Sequence, residues 1–276
     1  MLIEYLICQS ARGDVTATRP KVLITGASGL IGGLVIRDLS EKYDFSGLSR
    51  RPVAGIPHTQ ADISDIDALR RASNGMDMVL HLAAETQDYD DWDRVMDITI
   101  GGTLAMYRAA QEAGVKRVVF MSTGSTMCGY EFYEGSPYAA LAANEFDRLP
   151  PGAKMIDYRD PPRPDSFYGV GKLFGENTGR LFSDKYGMSV LCIRLGAVLA
   201  SDKPEMVRHF PGYLAQADAV QMVDKCLSAP DTIRFDIFDA ISENSRRWRD
   251  TSHAKEVLGW KPTGSSDRFD PKTLAV

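Results

Sequence analysis

Near its start the chain reads Lys21-Val-Leu-Ile-Thr-Gly26-Ala-Ser-Gly29-Leu-Ile-Gly32. An apolar run typical of a buried strand leads directly into three glycines at three-residue steps, where a helix should begin. Glycine allows a tight turn and close approach to a ligand, and a helix N-terminus presents free amides to an anion. A plain tight turn is the alternative. We predict a strand–turn–helix unit that binds a dinucleotide pyrophosphate through Gly26, Ser28, Gly29, Leu30, Ile31 and Gly32.

Strand and helix patterns alternate along the chain on either side of this unit. Strands are predicted at residues 21–25, 44–49, 58–63, 78–84, 117–122 and 189–195. Helices are predicted at about residues 29–41, 65–73, 92–113 and 168–186. Such alternation is typical of a doubly wound α/β fold, here with six parallel strands and helices on both faces.

The predicted organisation has three parts. Residues 1–20 form an N-terminal extension, residues 21–196 a nucleotide-binding domain, and residues 197–276 a small substrate-binding cap. A polar segment from Tyr130 to Phe167, with six prolines, is longer than a bare connection and is expected to overhang the site.

Composition excludes several classes of protein. The 276 residues carry 32 basic and 37 acidic side chains, a net charge of −5, so neither nucleic acid nor an anionic membrane surface is an expected partner. No apolar run approaches the roughly 20 residues of a membrane span. Four scattered cysteines and the lack of a signal-peptide pattern favour reduced thiols and a cytoplasmic location. His81 is expected to be structural, and His209 and His253 lack partners at metal-ligand spacing, so no metal is predicted.

The end of the second predicted strand bears on the choice of cofactor. It reads Gly47-Leu-Ser-Arg50-Arg51, without the carboxylate that holds the 2′-hydroxyl of NAD. Two arginines could pair with the 2′-phosphate of NADP, which we therefore favour over NAD; a solvated basic turn is the alternative. Asp62 is a candidate for the adenine amino group or for a helix cap.

Tyr168-Gly-Val-Gly-Lys172 places a phenol and an ammonium group one turn apart on a predicted helix. An adjacent cation favours the phenolate, so Tyr168 is a candidate proton shuttle. The hydroxyl cluster at Ser122–Thr126 follows a buried strand, at the edge of the sheet where parallel strands present ligand-binding residues. It is a candidate for holding a substrate oxygen.

Taken in order, these motifs resemble the extended short-chain dehydrogenase/reductase family, the NAD(P)-dependent epimerase/dehydratase group. Further matching segments are His81-Leu-Ala-Ala84 and Ile193-Arg-Leu-Gly196, and the resemblance runs from Lys21 to about Asp267. It implies a Rossmann-type fold and a catalytic trio of Thr123, Tyr168 and Lys172, with Ser125 as the alternative to Thr123. The implied cofactor contacts beyond the glycine turn are Arg50, Arg51, Asp62, Ile63, Leu82, Ala83, Ala84, Tyr168 and Lys172.

Within that family, residues 163–177 and 250–262 are similar to the uronate dehydrogenases. The similarity implies a sugar-acid substrate whose carboxylate is held by Arg208, with Thr86, Ser125 and Tyr168 as further substrate contacts. The chain departs from that pattern at four places, one of which is Thr86, where the pattern has a serine after the fourth strand. Gly124 replaces an asparagine, Ala197 replaces a serine, and Ser49-Arg50 replaces the acid that selects NAD.

The predicted function is hydride transfer between NADP or NAD and a hydroxyl or carbonyl of a sugar or sugar acid. Tyr168 would act as acid/base, Lys172 would lower the pKa of the phenol and hold the nicotinamide ribose, and Thr123 would orient the reacting oxygen. The alternatives are a nucleotide-sugar epimerase or dehydratase that retains its cofactor, and a catalytically silent NADP-binding regulator. A small molecule is the expected partner, and the family resemblance allows for a homodimer.

Overall fold

The computed structural model describes residues 18–132, 135–142, 145, 148–149 and 154–271. Residues 1–17 of the predicted N-terminal extension lie outside this range. So do residues 133–134, 143–144, 146–147 and 150–153 of the predicted overhanging segment.

Seven parallel strands form one sheet in the order β3-β2-β1-β4-β5-β6-β7. The strands are β1 Lys21–Thr25, β2 Asp44–Ser49, β3 His58–Gln60, β4 Met78–His81, β5 Arg117–Thr123, β6 Ser189–Leu195 and β7 Phe235–Ala240. The predicted doubly wound sheet is confirmed, but the predicted number of strands was wrong. The missed strand, β7, lies at an edge and carries Asp236 and Asp239, so it lacks the continuous apolar run of an inner parallel strand.

Helices cover both faces of the sheet. They are α1 Leu30–Leu39, α2 Ile66–Ser73, α3 Trp92–Arg94, α4 Gly102–Glu112, α5 Ala139–Ala142, α6 Phe167–Tyr186, α7 His209–Gly212, α8 Gln216–Leu227 and α9 Ser252–Leu258. The single helix predicted at residues 92–113 is interrupted by a π-helical turn, Val95–Gly101, which joins α3 to α4. No helix in the described part of the chain combines the length and apolar character needed to cross a bilayer.

The core consists of two apolar layers, one on each face of the sheet. Val22 and Ile24 of β1 point into the layer with α1 and α8, whereas Leu23 points into the layer with α2, α4 and α6. All three are fully buried. Because successive strand side chains alternate between faces, every inner strand contributes to both layers. Each such side chain stabilises the fold by about 1.5–3 kcal/mol relative to leaving it exposed.

The segment from Tyr130 to Phe167 is described in part. Tyr138, Leu141 and Ile156 join Trp248 in a third apolar cluster, and Ile156 forms a parallel bridge with Arg249. None of the described residues of this segment lines the cleft described below, and the overhang stays a prediction. Its own apolar side chains hold it against the C-terminal part of the chain.

The C-terminal 80 residues share the sheet with the rest of the chain. β7 pairs with β6, and α8 packs against α1. The division into a nucleotide-binding domain and a cap at residue 196 stays a prediction about which part binds which ligand.

Candidate active site

A cleft of about 730 Å³ runs across the carboxyl ends of the central strands. At one end lies the turn between β1 and α1. Gly26 has a φ of 73°, and a Cβ there would lie 2.8 Å from the backbone nitrogen of Ala83, while one at Gly32 would lie 2.4 Å from the Ala27 carbonyl oxygen. Only glycine fits either position. Gly29, the N-cap of α1, provides no side chain to occupy the first amides of the helix, which leaves them for an anionic ligand.

Every predicted cofactor contact lines this cleft. Those around the turn are Gly26, Ser28, Gly29, Leu30, Ile31 and Gly32. Those beyond it are Arg50, Arg51, Asp62, Ile63, Leu82, Ala83, Ala84, Tyr168 and Lys172. The structure therefore brings together residues from five separate segments, while their individual roles stay predictions.

The wall at the end of β2 carries the two arginines. Arg51 donates a hydrogen bond to the carbonyl of Ser28 in the glycine turn at 3.3 Å. Ser49 donates its hydroxyl hydrogen to the Arg51 carbonyl at 2.8 Å and lies 2.9 Å from Nε2 of His58. Asp62 accepts bonds from the amide and hydroxyl of Ser64, which with the nearby Arg50 charge lower the pKa of its carboxyl group. Asp62 thus stabilises its own turn, and the cap of α2 is Asp65.

The predicted catalytic trio meets at the other end of the cleft. Tyr168 and Lys172 project from the first turns of α6, and Thr123 ends β5. Nζ of Lys172 lies 5.6 Å from the centroid of the Tyr168 ring and 5.0 Å from that of Phe120. Thr123, the residue chosen by counting along the strand, lines the cleft, whereas Ser125 does not. The Ser125 amide instead donates to the Thr123 hydroxyl at 3.2 Å.

Burial dominates the electrostatics of this trio. It lowers the pKa of Lys172 to about 7, against an opposing effect of Glu176. It also raises the pKa of Tyr168, as does nearby Tyr89, while a hydrogen bond with Thr123 lowers it. The lysine was expected to lower the pKa of the phenol. Burial instead raises the pKa of Tyr168 and lowers that of Lys172, because desolvation penalises the charged form of each group.

Tyr89 and Glu85 also line the cleft, although neither was among the predicted site residues. The ring of Tyr89 stacks on that of Tyr168, with centroids 4.8 Å apart and planes 16° apart. The Tyr168 amide also donates to the Tyr89 carbonyl at 2.9 Å. Glu85 is buried in the cleft wall and accepts a 2.7 Å bond from Nε of Arg94. No local pattern marks either residue, because their partners are set by tertiary packing.

The predicted substrate contacts are only partly brought together. Thr86 and Tyr168 line the cleft, whereas Ser125 and Arg208 lie outside its lining. His209, for which no role was predicted, does line it. His81 is buried and hydrogen bonded through both ring nitrogens, to the hydroxyls of Thr25 and Thr103, as expected for a structural histidine.

The glycine-rich turn follows β1, where the strand order of the parallel sheet reverses, and the tyrosine–lysine pair lies in the same cleft. This combination is typical of dinucleotide-binding α/β enzymes. Residues 22–258 match the model of the NAD dependent epimerase/dehydratase family, and the chain belongs to this family. The prediction of an NAD(P)-dependent enzyme of the extended short-chain dehydrogenase/reductase type is thereby confirmed.

Individual relatives cover nearly the whole chain. It is 32% identical to an L-arabinose 1-dehydrogenase (NAD(P)(+)) of Haloferax volcanii, over 89% of this chain and 97% of that protein. It is 28% identical to a uronate dehydrogenase of Pseudomonas putida, over 90% and 86% of the two chains. Its fold matches a mutant uronate dehydrogenase of Agrobacterium tumefaciens in complex with NAD, with a TM-score of 0.75, 27% identity, and coverage of 91% and 88%.

Proposed function

We propose that this protein oxidises a sugar hydroxyl to a carbonyl, or catalyses the reverse reduction, with NAD(P) as the hydride carrier. One observation carries the proposal. Thr123, Tyr168 and Lys172 lie at one end of a single cleft whose other end is the glycine turn. The names of the relatives, which include an arabinose and a uronate dehydrogenase, support a sugar as the substrate class.

The residues of the cleft fit a dinucleotide. A Cβ at Gly26 or Gly32 would collide with backbone atoms, so the turn leaves room for a pyrophosphate beside the first amides of α1. Bound NAD(P) would supply a nicotinamide ring that accepts or donates hydride. Lys172, which lines the cleft, would hydrogen bond the nicotinamide ribose.

The chemistry of the chain itself centres on one proton. In the oxidative direction Tyr168 takes the proton of the substrate hydroxyl, and Thr123 donates a hydrogen bond that holds the same oxygen. Because burial raises the pKa of Tyr168, a positive charge on Lys172 is needed to stabilise the phenolate that accepts this proton. Tyr89, stacked on the phenol, excludes water from one face of the ring.

We further propose a preference for NADP over NAD. Arg50 and Arg51 line the cleft at the end of β2. None of the lining residues from Leu48 to Arg51 is acidic. Arginine pairs with a phosphate through two parallel hydrogen bonds. Replacing both residues with glutamine is expected to raise KM for NADP at least tenfold and to leave KM for NAD within about twofold.

The test is reduction of NAD and of NADP, followed by nicotinamide absorbance, with purified protein and a panel of aldoses and uronates. Reduction with a sugar supports the proposal, and the ratio of kcat/KM for the two cofactors tests the preference. Tight cofactor binding without oxidation of any sugar would contradict the proposed activity. Nucleotide sugars are tested separately, and their interconversion without net reduction of the cofactor would favour an epimerase.

A further inference from the structure

Arg208, the residue expected to hold a substrate carboxylate, is already paired within the protein. Its Nε donates to Oε2 of Glu131 at 2.9 Å, and its Nη2 lies 3.7 Å from a carboxylate oxygen of Asp165. Its guanidinium also stacks over the ring of Phe132, 4.9 Å from the centroid. Two acidic side chains therefore balance its single positive charge.

Moving the guanidinium of Arg208 from these partners to a substrate would cost free energy. Glu131 is 5% exposed, and its burial raises the pKa of its carboxyl group while the Arg208 charge opposes that shift. A guanidinium that turned into the cleft would leave this carboxylate buried without its partner. The structure thus offers no free cation at this position for a uronate.

His209, the next residue, lines the cleft that also holds the trio. Thr123 at the end of β5 pairs in register with Leu195 at the end of β6, so the segment that follows β6 borders the reacting end of the cleft. Leu195 to Leu199 and His209 form this wall. Ala197 also forms a parallel bridge with Tyr213, the residue that follows α7. The short helix α7, which begins at His209, therefore lies next to this wall.

The hydrogen bonding of His209 sets which ring nitrogen carries the proton. Its Nδ1 accepts a hydrogen bond from the backbone amide of Glu205 at 3.2 Å. Burial and the Arg208 charge lower the pKa of the imidazole, against an opposing effect of Glu205, so the ring is neutral near pH 7. A neutral ring that accepts at Nδ1 carries its hydrogen on Nε2. In the described part of the chain, that Nε2–H has no hydrogen-bond acceptor.

We propose that the substrate is an uncharged aldose and that Nε2–H of His209 donates a hydrogen bond to one of its hydroxyls away from the reacting carbon. The inference rests on the proposed sugar oxidation and specifies its substrate class. A neutral donor suits a hydroxyl, whereas the occupied guanidinium of Arg208 leaves a substrate carboxylate without a counter-charge. His209 is then a specificity-determining residue of the site.

The first test compares substrates on the unmodified protein. We expect kcat/KM for L-arabinose, D-galactose or D-glucose to exceed that for galacturonate or glucuronate at least tenfold, with whichever cofactor is preferred. A preference of tenfold or more for a uronate, lost in Arg208→Gln, would overturn the inference while upholding the proposed sugar oxidation. No reduction with any sugar would overturn both.

The second test isolates the hydrogen bond. His209→Leu is expected to raise KM for the best aldose about 3- to 10-fold, with kcat and cofactor affinity within twofold, because a neutral hydrogen bond to substrate is lost. His209→Gln, whose amide can donate from a similar position, should recover much of the loss. His253→Leu is the matched control, a half-buried histidine outside this cleft that pairs with Asp236.

Deoxy sugars separate a direct contact from a structural role. If His209 binds one hydroxyl, the sugar lacking that hydroxyl should react equally well with the unmodified protein and with His209→Leu. An equal loss from His209→Leu on every deoxy sugar would show that the residue only supports α7, and would overturn the assigned contact.

Discussion

At the scale of single residues, the cleft contains a phenol and an ammonium group that burial has brought toward their neutral forms. Tyr168 is buried against Tyr89, and Lys172 is 1% exposed. Neither group carries a full charge near pH 7, since burial raises the pKa of Tyr168 and lowers that of Lys172. Ligands that bring charge or hydrogen bonds to the cleft will therefore set the protonation of both.

Replacement of Tyr168 with phenylalanine tests the role of the phenol. The ring and its stacking on Tyr89 are retained, so the fold and cofactor affinity should be unchanged, whereas kcat should fall at least about 100-fold because the proton acceptor is lost. Cofactor affinity is measured by nicotinamide fluorescence and kcat by sugar-dependent reduction. Unchanged turnover would contradict the assignment.

Lys172 makes stability depend on pH. The unfolded chain holds this proton up to about pH 10.5, whereas the folded protein releases it at about pH 7. Between these values the unfolded state binds more protons, so the free energy of unfolding should rise with pH. Relative to Lys172→Met, the rise should be up to about 1 kcal/mol per pH unit. Tyr168, with a raised pKa, opposes this only above about pH 10.

Urea denaturation of both proteins at pH 7, 8 and 9 measures this difference. Lys185→Met serves as the control, because Lys185 is exposed on the same helix. A difference between the unmodified protein and Lys172→Met that stays constant with pH would contradict the lowered pKa of Lys172.

At the scale of elements, helix α6 determines where the trio lies. A Cβ on Gly175 would be 2.2 Å from Cζ of Phe120 in β5, so α6 approaches the sheet as closely as a glycine permits. Ser122 of β5 donates to Oε1 of Glu176 at 2.6 Å, and Arg194 of β6 pairs with the same buried carboxylate. These contacts hold the Tyr168–Lys172 turn against the end of β5.

Gly175→Ala tests this close approach. The added methyl group should lower the free energy of unfolding by about 1–3 kcal/mol, because Phe120 or the helix must shift. Gly33→Ala is the matched helical control. No heavy atom lies within 4 Å of its added Cβ, and we expect a gain of about 0.5–1 kcal/mol. Chemical denaturation measures both changes. Equal effects of the two substitutions would contradict the close contact between Gly175 and Phe120.

At the scale of the whole molecule, the sheet crosses the predicted boundary at residue 196. Phe238 of β7 and Met222 of α8 are fully buried in the layer that also holds Val22 and Leu34. Removal of the C-terminal part would expose one side of β6 and the apolar surface under α8. Nucleotide and substrate regions are therefore expected to fold as one unit, whichever ligand each region binds.

A fragment of residues 21–196 tests this expectation. We expect it to show no cooperative transition in urea, whereas the full chain should unfold in one transition seen alike by far-UV and near-UV circular dichroism. A fragment that unfolds cooperatively, with the same urea midpoint as the full chain, would show that residues 21–196 fold independently of the C-terminal part.

Much of the fold and most of the candidate cofactor site could be predicted because their signals are local. The glycine turn depends on φ angles and steric limits within a few residues, and the spacing of Tyr168 and Lys172 follows from the pitch of one helix. Apolar runs mark the inner strands, since those strands are buried on both faces. The resemblance to a family supplied Thr123 and the order of the motifs.

The sequence by itself thus determined the doubly wound sheet, the dinucleotide turn and the tyrosine–lysine pair. Only the tertiary structure decided the stacking of Tyr89 on Tyr168, the pairing of Arg208 with Glu131, and the position of His209 on the cleft wall. Each of these depends on segments far apart in the chain meeting at the end of the sheet. Local sequence propensities do not predict these contacts, because their free energy comes from the packing and charge balance of the folded molecule.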